Sequence, residues 1–304
     1  MAAAGDAQRH GQFDVAERSF QSAMSVGAQL PNDAVYQGVT SNRLAILYQQ
    51  QGDLDLAERH YLAALSFFRR TTDRSLDRTI TANLANLYLD IGQISKAERL
   101  VRTCLPDEAH PSAEERDEPV MLSDLGSIRA RQQRFGEAEQ LFRQVIDLVD
   151  GRPDTGSRAI RGNALANLSE LYYLTRQMPE AAAASRRALN IYEALPPDAS
   201  GGMIKALTNL AVITATSGAR SEAADLFRRA IALSESTLGP DHPLYGAVLA
   251  RYAIYLRRIN DKGAARKVEE HVRQIRAKSR QRNHLGNTVE VSDLRPRRAA
   301  GPGL

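Results

Sequence analysis

One short pattern recurs along most of the chain, and its spacing constrains the fold more than any other feature. A small or turn-forming residue is followed, after four variable positions, by alanine and usually by glutamate or a second alanine. It reads Gly11 to Ala16-Glu17, Gly52 to Ala57-Glu58 and Gly92 to Ala97-Glu98. Looser copies run from Gln133 to Ala138-Glu139, Arg176 to Ala181 and Gly218 to Ala223, and a last one falls on Ala264 or Ala265. The alanines lie 41, 40, 41, 43 and 42 residues apart, then 41 or 42. A fixed period of that size means a stack of like units, each burying its apolar face on the next.

A second pattern precedes each turn. Its copies are Leu44-Ala45 with Tyr48, Leu84-Ala85 with Tyr88, Leu125-Gly126 with Ile128, Leu168-Ser169 with Tyr172, Leu210-Ala211 with Ile213, and Tyr252-Ala253 with Tyr255. Such spacing makes one apolar stripe on a helix. The stretch after each turn has its own stripe, for example Ala57, Tyr61, Ala64 and Leu65, or Ala223, Phe227, Ala230 and Ile231. Each unit therefore reads as two amphipathic helices joined by a tight turn. The small residues mark where the helices must approach closely, and a larger side chain there would overpack. Gly52, Gly92 and Gly218 suit a turn that needs positive φ. The copy at Arg176 lacks glycine, which predicts a less ideal turn. Tyr48, Tyr88 and Tyr172 read as core packing. Connectors rich in Pro, Gly and Asp separate the units at 105–112, 150–156, 195–202 and 238–243; in the last, Asp241 is the expected N-cap and Pro243 lies in the first turn of the next helix.

Composition narrows the function classes. A single cysteine, Cys104, can form neither an intrachain disulfide nor a Cys-based zinc site. It stands where other copies carry Ala, Val or Ile, so it reads as a small buried hydrophobe. The six histidines are scattered singly, and those at 110 and 242, each before a proline, read as turn residues. No apolar run approaches the ~18 residues that span a bilayer. There is no phosphate-binding Gly-rich loop, no His-Glu-x-x-His and no Gly-x-Ser-x-Gly. No cofactor is implied and no enzyme is expected. The N-terminus lacks the basic and apolar regions of a signal peptide, so the expected location is cytoplasmic, unless upstream sequence carrying such a signal is missing. The net charge of +4 is uneven: residues 251–304 carry 14 Lys and Arg against five acids, leaving the rest mildly acidic. Without interleaved aromatics this basic end reads as a solvated helix end and tail, and nucleic-acid binding is the lesser alternative. The preference for Arg over Lys fits a GC-rich, bacterial genome.

The series Ala45, Gly52, Ala57, Tyr61, Ala64 resembles tetratricopeptide repeats in order and spacing. The longer period, the Asn-Leu-Ala-Asn-Leu-Tyr string at 83–88 and the Leu-Gly-Pro-Asp-His-Pro string at 238–243 are similar to the kinesin-light-chain-type subclass. The resemblance covers residues 10–278. It implies an all-α, right-handed superhelical solenoid of about seven helix pairs, with the first helix of each pair lining a concave groove. The expected organisation is a solenoid over 1–280, with an incomplete first repeat and a polar, Arg-rich terminal pair that caps the stack. A basic, disordered tail is expected over 281–304, in which Thr288-Val-Glu-Val291 alternates like a strand.

Two polar columns run along the first helices. One holds Arg43, Asn83, Asp124, Asn167, Asn209 and Arg251; the other includes Asn86, Ser127 and Glu170. They lie three residues apart and so share a face. The resemblance implies that such residues face the groove, where Asn side chains bond the backbone of an extended peptide. Asn83, Asn167 and Asn209 match that motif, while Arg43, Asp124 and Arg251 depart from it; the two arginines suit an acidic side chain or terminal carboxylate. The competing assignment is that these asparagines bond between helices and stabilise the stack. The expected function is a non-enzymatic protein-interaction scaffold holding a partner segment at Arg43, Asn83, Asn86, Asp124, Asn167, Glu170, Asn209 and Arg251, with no small-molecule substrate and no membrane. The alternative is a regulatory module of a larger protein.

Overall fold

Each helix pair presents apolar faces that only a neighbouring pair can cover, so the units stack. The computed structural model describes residues 2–9, 13–27, 33–68, 75–104, 118–196 and 200–285. Gly11, the 105–112 connector, His110, the side chain of Cys104 and the strand-like string at 288–291 lie outside the described residues. Among the described residues fourteen helices form seven successive pairs: α1 (Ala2–Arg9) with α2 (Phe13–Gly27), α3 (Asp33–Gln51) with α4 (Leu54–Phe68), α5 (Ser75–Asp90) with α6 (Ile94–Cys104), α7 (Glu118–Arg131) with α8 (Phe135–Val149), α9 (Thr155–Leu174) with α10 (Met178–Glu193), α11 (Ser200–Thr216) with α12 (Arg220–Leu238), and α13 (Pro243–Arg258) with α14 (Lys262–Leu285). No strand occurs among the described residues. The fold is an all-α right-handed solenoid. The first helix of each pair packs beside the next first helix along one inner face from α3 through α13. The first pair has a short leading helix, with Ala4 and Ala7 buried as its stripe requires. The last helix continues past residue 280 to Leu285.

The small positions do what their size demands. Ala45, Ala85, Gly126, Ser169, Ala211 and Ala253 are all buried, and so is every motif alanine from Ala16 to Ala223. Between the two candidates in the last copy, Ala265 is fully buried and Ala264 is not, which settles the register. Four residues after the alanine, a core residue fills five of the pairs: Phe20, Tyr61, Val101, Phe142 and Phe227; in the last pair that position is Glu269, which bonds Arg257. In the α9–α10 pair that position is Ser185, whose Oγ lies 2.5 Å from Ser169 Oγ; Ser169 also donates to the Ala181 carbonyl at 2.9 Å. Two turns further along α10, Tyr192 packs against Gly162 and Gly202, where a Cβ would meet its ring at 2.8 and 2.2 Å.

Neighbouring pairs are also stitched by a polar ladder that gives the motif glutamate its role. Tyr48 donates to Glu17 at 2.8 Å, Tyr88 to Glu58 at 2.7 Å and Tyr172 to Glu139 at 2.8 Å. At the intervening junction Arg129 replaces the tyrosine and reaches Glu98 at 3.0 Å. Arg129 and Gln132 together hold the Glu98 carboxyl down to about 2. Where the glutamate is absent, at Ala182 and Ala224, the corresponding tyrosine is replaced by Thr214 and Leu256. The tyrosines are thus core residues whose hydroxyls are also spent on the preceding repeat.

The turns share one geometry whether or not glycine is present. Gly52, Gly92 and Gly218 have φ of 85°, 76° and 90°, while Gln133, Arg176 and Asn260 have 60°, 66° and 67°. The Arg176 turn closes with Gln177 N–H on the Tyr172 carbonyl at 2.8 Å, matching Gln93 N–H on Tyr88 at 2.7 Å. The absence of glycine therefore changes strain rather than shape. A left-handed conformation costs an L-residue roughly 1–2 kcal/mol. Arg176→Gly and Gln133→Gly are each expected to stabilise the protein by about 1 kcal/mol, and Asn260→Gly by less, because Asn tolerates this region. Urea denaturation midpoints check this.

The superhelix brings its ends together. The Phe13 ring of α2 lies 5.8 Å from His242, just ahead of α13, and α3 touches α14. The terminal pair, expected to lack any neighbour, is thus partly covered by the start of the chain. His242 rather than Asp241 caps α13, its Nδ1 accepting from Leu244 N–H at 3.0 Å, while Asp241 pairs with Lys278 at 2.8 Å.

Candidate functional site

The inner face opens into two adjoining clefts. The larger, about 450 Å³, is lined by Asn86 and Asp90 of α5, Ser127 and Arg131 of α7, Asn167, Glu170 and Leu174 of α9, and Lys205 of α11. The smaller, about 140 Å³, is lined by Glu170, Tyr173, Leu174, Asn209, Val212 and Arg251. Glu170 and Leu174 belong to both, so the clefts form one continuous groove spanning α5 to α13. Its wall is polar apart from a few apolar side chains, among them Leu174 at 55% exposure.

The structure places the sequence-derived residues unequally. Asn86, Asn167 and Glu170 line the larger cleft; Asn209 and Arg251 line the smaller. Arg43 is exposed on α3 at the same register but lines neither cleft. The column asparagines reach backward to the preceding inner helix. Asn83 donates to Asn42 Oδ1 at 3.2 Å, Asn167 to Ser123 Oγ at 3.5 Å, and Asn209 to the Ala166 carbonyl at 3.4 Å. In this structure their amides therefore serve junctions between repeats, and Asn209 is only 7% exposed. Asn86 is exposed, and its Nδ2 sits 3.4 Å from Asp124 Oδ1. Asp124 is buried beneath the groove.

Sequence reasoning missed Lys205. It lies one helical turn before Asn209 on the same face, which was the available signal. Its Nζ donates to Asn167 Oδ1 at 2.8 Å. Burial lowers its pKa, Glu170 opposes that shift and Arg251 reinforces it. Lys205, Glu170 and Arg251 thus form one electrostatic unit joining the two clefts. No helix among the described residues is long and apolar enough to cross a membrane, and no group of three or more His, Cys, Asp or Glu among them could hold a metal.

These features define a helix-pair solenoid with a polar and apolar inner groove, the architecture of an interaction scaffold. The chain belongs to the tetratricopeptide repeat family, whose pattern matches residues 36–106, 117–194 and 202–278. It is similar to the regulatory protein AfsR of Streptomyces griseus, 26% identical over 188 residues, covering 62% of this chain but 18% of AfsR. The chain therefore spans less than a fifth of that relative's length. Among solved structures, the nearly identical TPR-like repeats of a putative kinesin light chain from Podosopora anserina match at 20% identity and TM-score 0.51, over 69% of this chain and all of theirs. A Rap protein complexed with competence and sporulation factor matches at 13% identity and TM-score 0.61, over 88% of this chain and 81% of its own. Both likenesses concern the fold.

Proposed function

We propose that this protein is a non-enzymatic scaffold that captures an extended segment of a partner protein in its inner groove. The observation that supports this most is the larger cleft, to which four consecutive inner helices contribute polar groups and whose wall carries exposed Leu174. Asn86 and Glu170 offer groups that an extended backbone can pair with, and Lys205 with Arg251 supplies positive charge for an acidic group. Asn167 and Asn209 line the clefts while bonding between repeats, Asn83 and Asp124 support the same face from below, and Arg43 extends that face beyond the clefts. The Rap protein, alike in fold, is known in complex with competence and sporulation factor, which fits a ligand held by such a scaffold.

Asn86→Ala combined with Glu170→Ala is the test. A peptide selected from a displayed random library on the wild-type protein serves as probe. The double variant is expected to weaken its capture at least about tenfold, or ~1.4 kcal/mol, with an unchanged melting temperature. Unchanged affinity overturns the groove assignment. A second reading, a regulatory module within a larger protein, is favoured by the partial match to AfsR. In-frame coding sequence upstream of Met1 that specifies a further domain would support it.

A further inference from the structure

The polar column is broken at one place by a residue that can titrate. At three junctions the column residue is an asparagine that donates to the inner helix before it. On α7 it is Asp124, and an ionised carboxylate has no proton to donate. Among the described residues its buried Oδ2 has no hydrogen-bond partner, and its Oδ1 meets only the Asn86 amide, at 3.4 Å. Asn86 is also one of the residues that line the larger cleft. The two roles of that amide, bonding Asp124 and meeting a ligand, compete.

We infer that Asp124 is a positioning residue that controls the Asn86 amide and so makes partner capture pH-dependent. The inference rests on the groove reading above. Ionised, Asp124 is a strong acceptor and draws the Asn86 amide down against α7. Protonated, it is a weaker acceptor that carries a proton of its own, as the asparagines do elsewhere in the column, and it releases Asn86 to the groove. Burial raises the Asp124 carboxyl to about 7, and the Asn86 bond works against that rise.

Most charged groups on the packed elements are engaged elsewhere. From α5, Asp90 accepts from Gln49 at 2.9 Å. From α6, Glu98 is held by Arg129 and Gln132. From α8, Glu137 pairs with Arg129 and Arg134. From α9, Glu170 stands across the groove beside Lys205, and on α7 itself Arg129 is spent on Glu98 and Glu137 while Arg131 lines the cleft.

The test uses the full chain and a peptide selected from a displayed random library at pH 6. Affinity for wild-type protein is expected to fall at least threefold between pH 6 and pH 8. Asp124→Asn should bind equally at both, at the wild-type pH 6 level, because Asn is neutral and donates. Asn86→Ala should bind more weakly and also lose the pH dependence. The Asp124 carboxyl carbon, followed by NMR, should titrate near pH 7. The melting temperature of Asp124→Asn minus that of wild type should widen as pH rises from about 4 to about 7 and then level. The sign follows because the folded state holds a proton in that window that the unfolded chain has lost. A pH dependence that persists in Asp124→Asn, or an Asp124 that titrates near the ordinary carboxyl value, overturns the inference while leaving the groove reading intact. Failure to select any peptide overturns both.

Discussion

Gly126→Leu is expected to destabilise the protein by about 3 kcal/mol or more, and Gly126→Ala far less. Gly126 faces the Phe142 ring, and a Cβ built there would sit 2.7 Å from its nearest carbon and 3.0 and 3.1 Å from the next two. Phe142 is itself 2% exposed, closed in by Ala138, Leu168 and Leu171 of the same cluster, so the ring has little room to move. Alanine adds only that methyl group, which the ring can meet by a small shift, and its helix propensity of about 1 kcal/mol over glycine offsets part of the crowding. Leucine adds three more carbons to a closed interface. The damage should be local first, because each pair in a solenoid rests chiefly on its neighbours. Urea denaturation should show an earlier transition for Gly126→Leu with a reduced slope. A midpoint equal to that of Gly126→Ala would show that the two helices do not approach as described.

Acid is expected to destabilise the protein through two buried histidines. His60 is 8% exposed, stacks on Tyr48 with centroids 5.2 Å apart, and has an unpartnered Nδ1. His242 caps α13 and packs on Phe13 where the two ends meet. Burial lowers both to about 4. Between about pH 6.5 and 4 the unfolded chain therefore binds two protons that the folded chain refuses, and stability falls as pH falls. At pH 5 each histidine should cost about 2 kcal/mol relative to pH 7, from about 1.4 kcal/mol per pH unit. Asp124 slopes the opposite way in the same window, so the Asp124→Asn background exposes the full histidine effect. In that background, His60→Phe should remove about half of the loss between pH 7 and pH 5. An equal loss with and without His60 would refute its assignment as a buried neutral group.

Much of this fold was legible because packing repeats at fixed spacing. The alanine and small-residue columns identified helix pairs, inner faces and turns, since close approach permits few side chains. The Ala264 and Ala265 ambiguity needed burial to resolve, because adjacent small residues carry no phase. The turn at Arg176 was read from glycine's absence, but the hydrogen-bonding pattern imposes the left-handed residue whatever its type. The Glu17–Tyr48 ladder was written in the sequence as a loss of both partners in later repeats, a correlation visible only once neighbouring units are aligned. Of the site, the inner column was legible and its bonding was not: whether Asn83 faces a ligand or Asn42 depends on the offset between repeats. Lys205 was overlooked because it stands outside the column. The meeting of Phe13 and His242 is the sum of small rotations over seven pairs, which no local pattern encodes.

Whether a partner segment lies along the inner groove is read most directly from where it crosslinks. A photoreactive residue would be placed in turn at Ser127 and Leu174 on the groove, and at Glu180 and Arg187, which line a separate cleft beside α10 on the outer side. The selected peptide is expected to crosslink from Ser127 and Leu174 and not from Glu180 or Arg187. Crosslinking from the α10 positions alone would place the partner outside the inner groove.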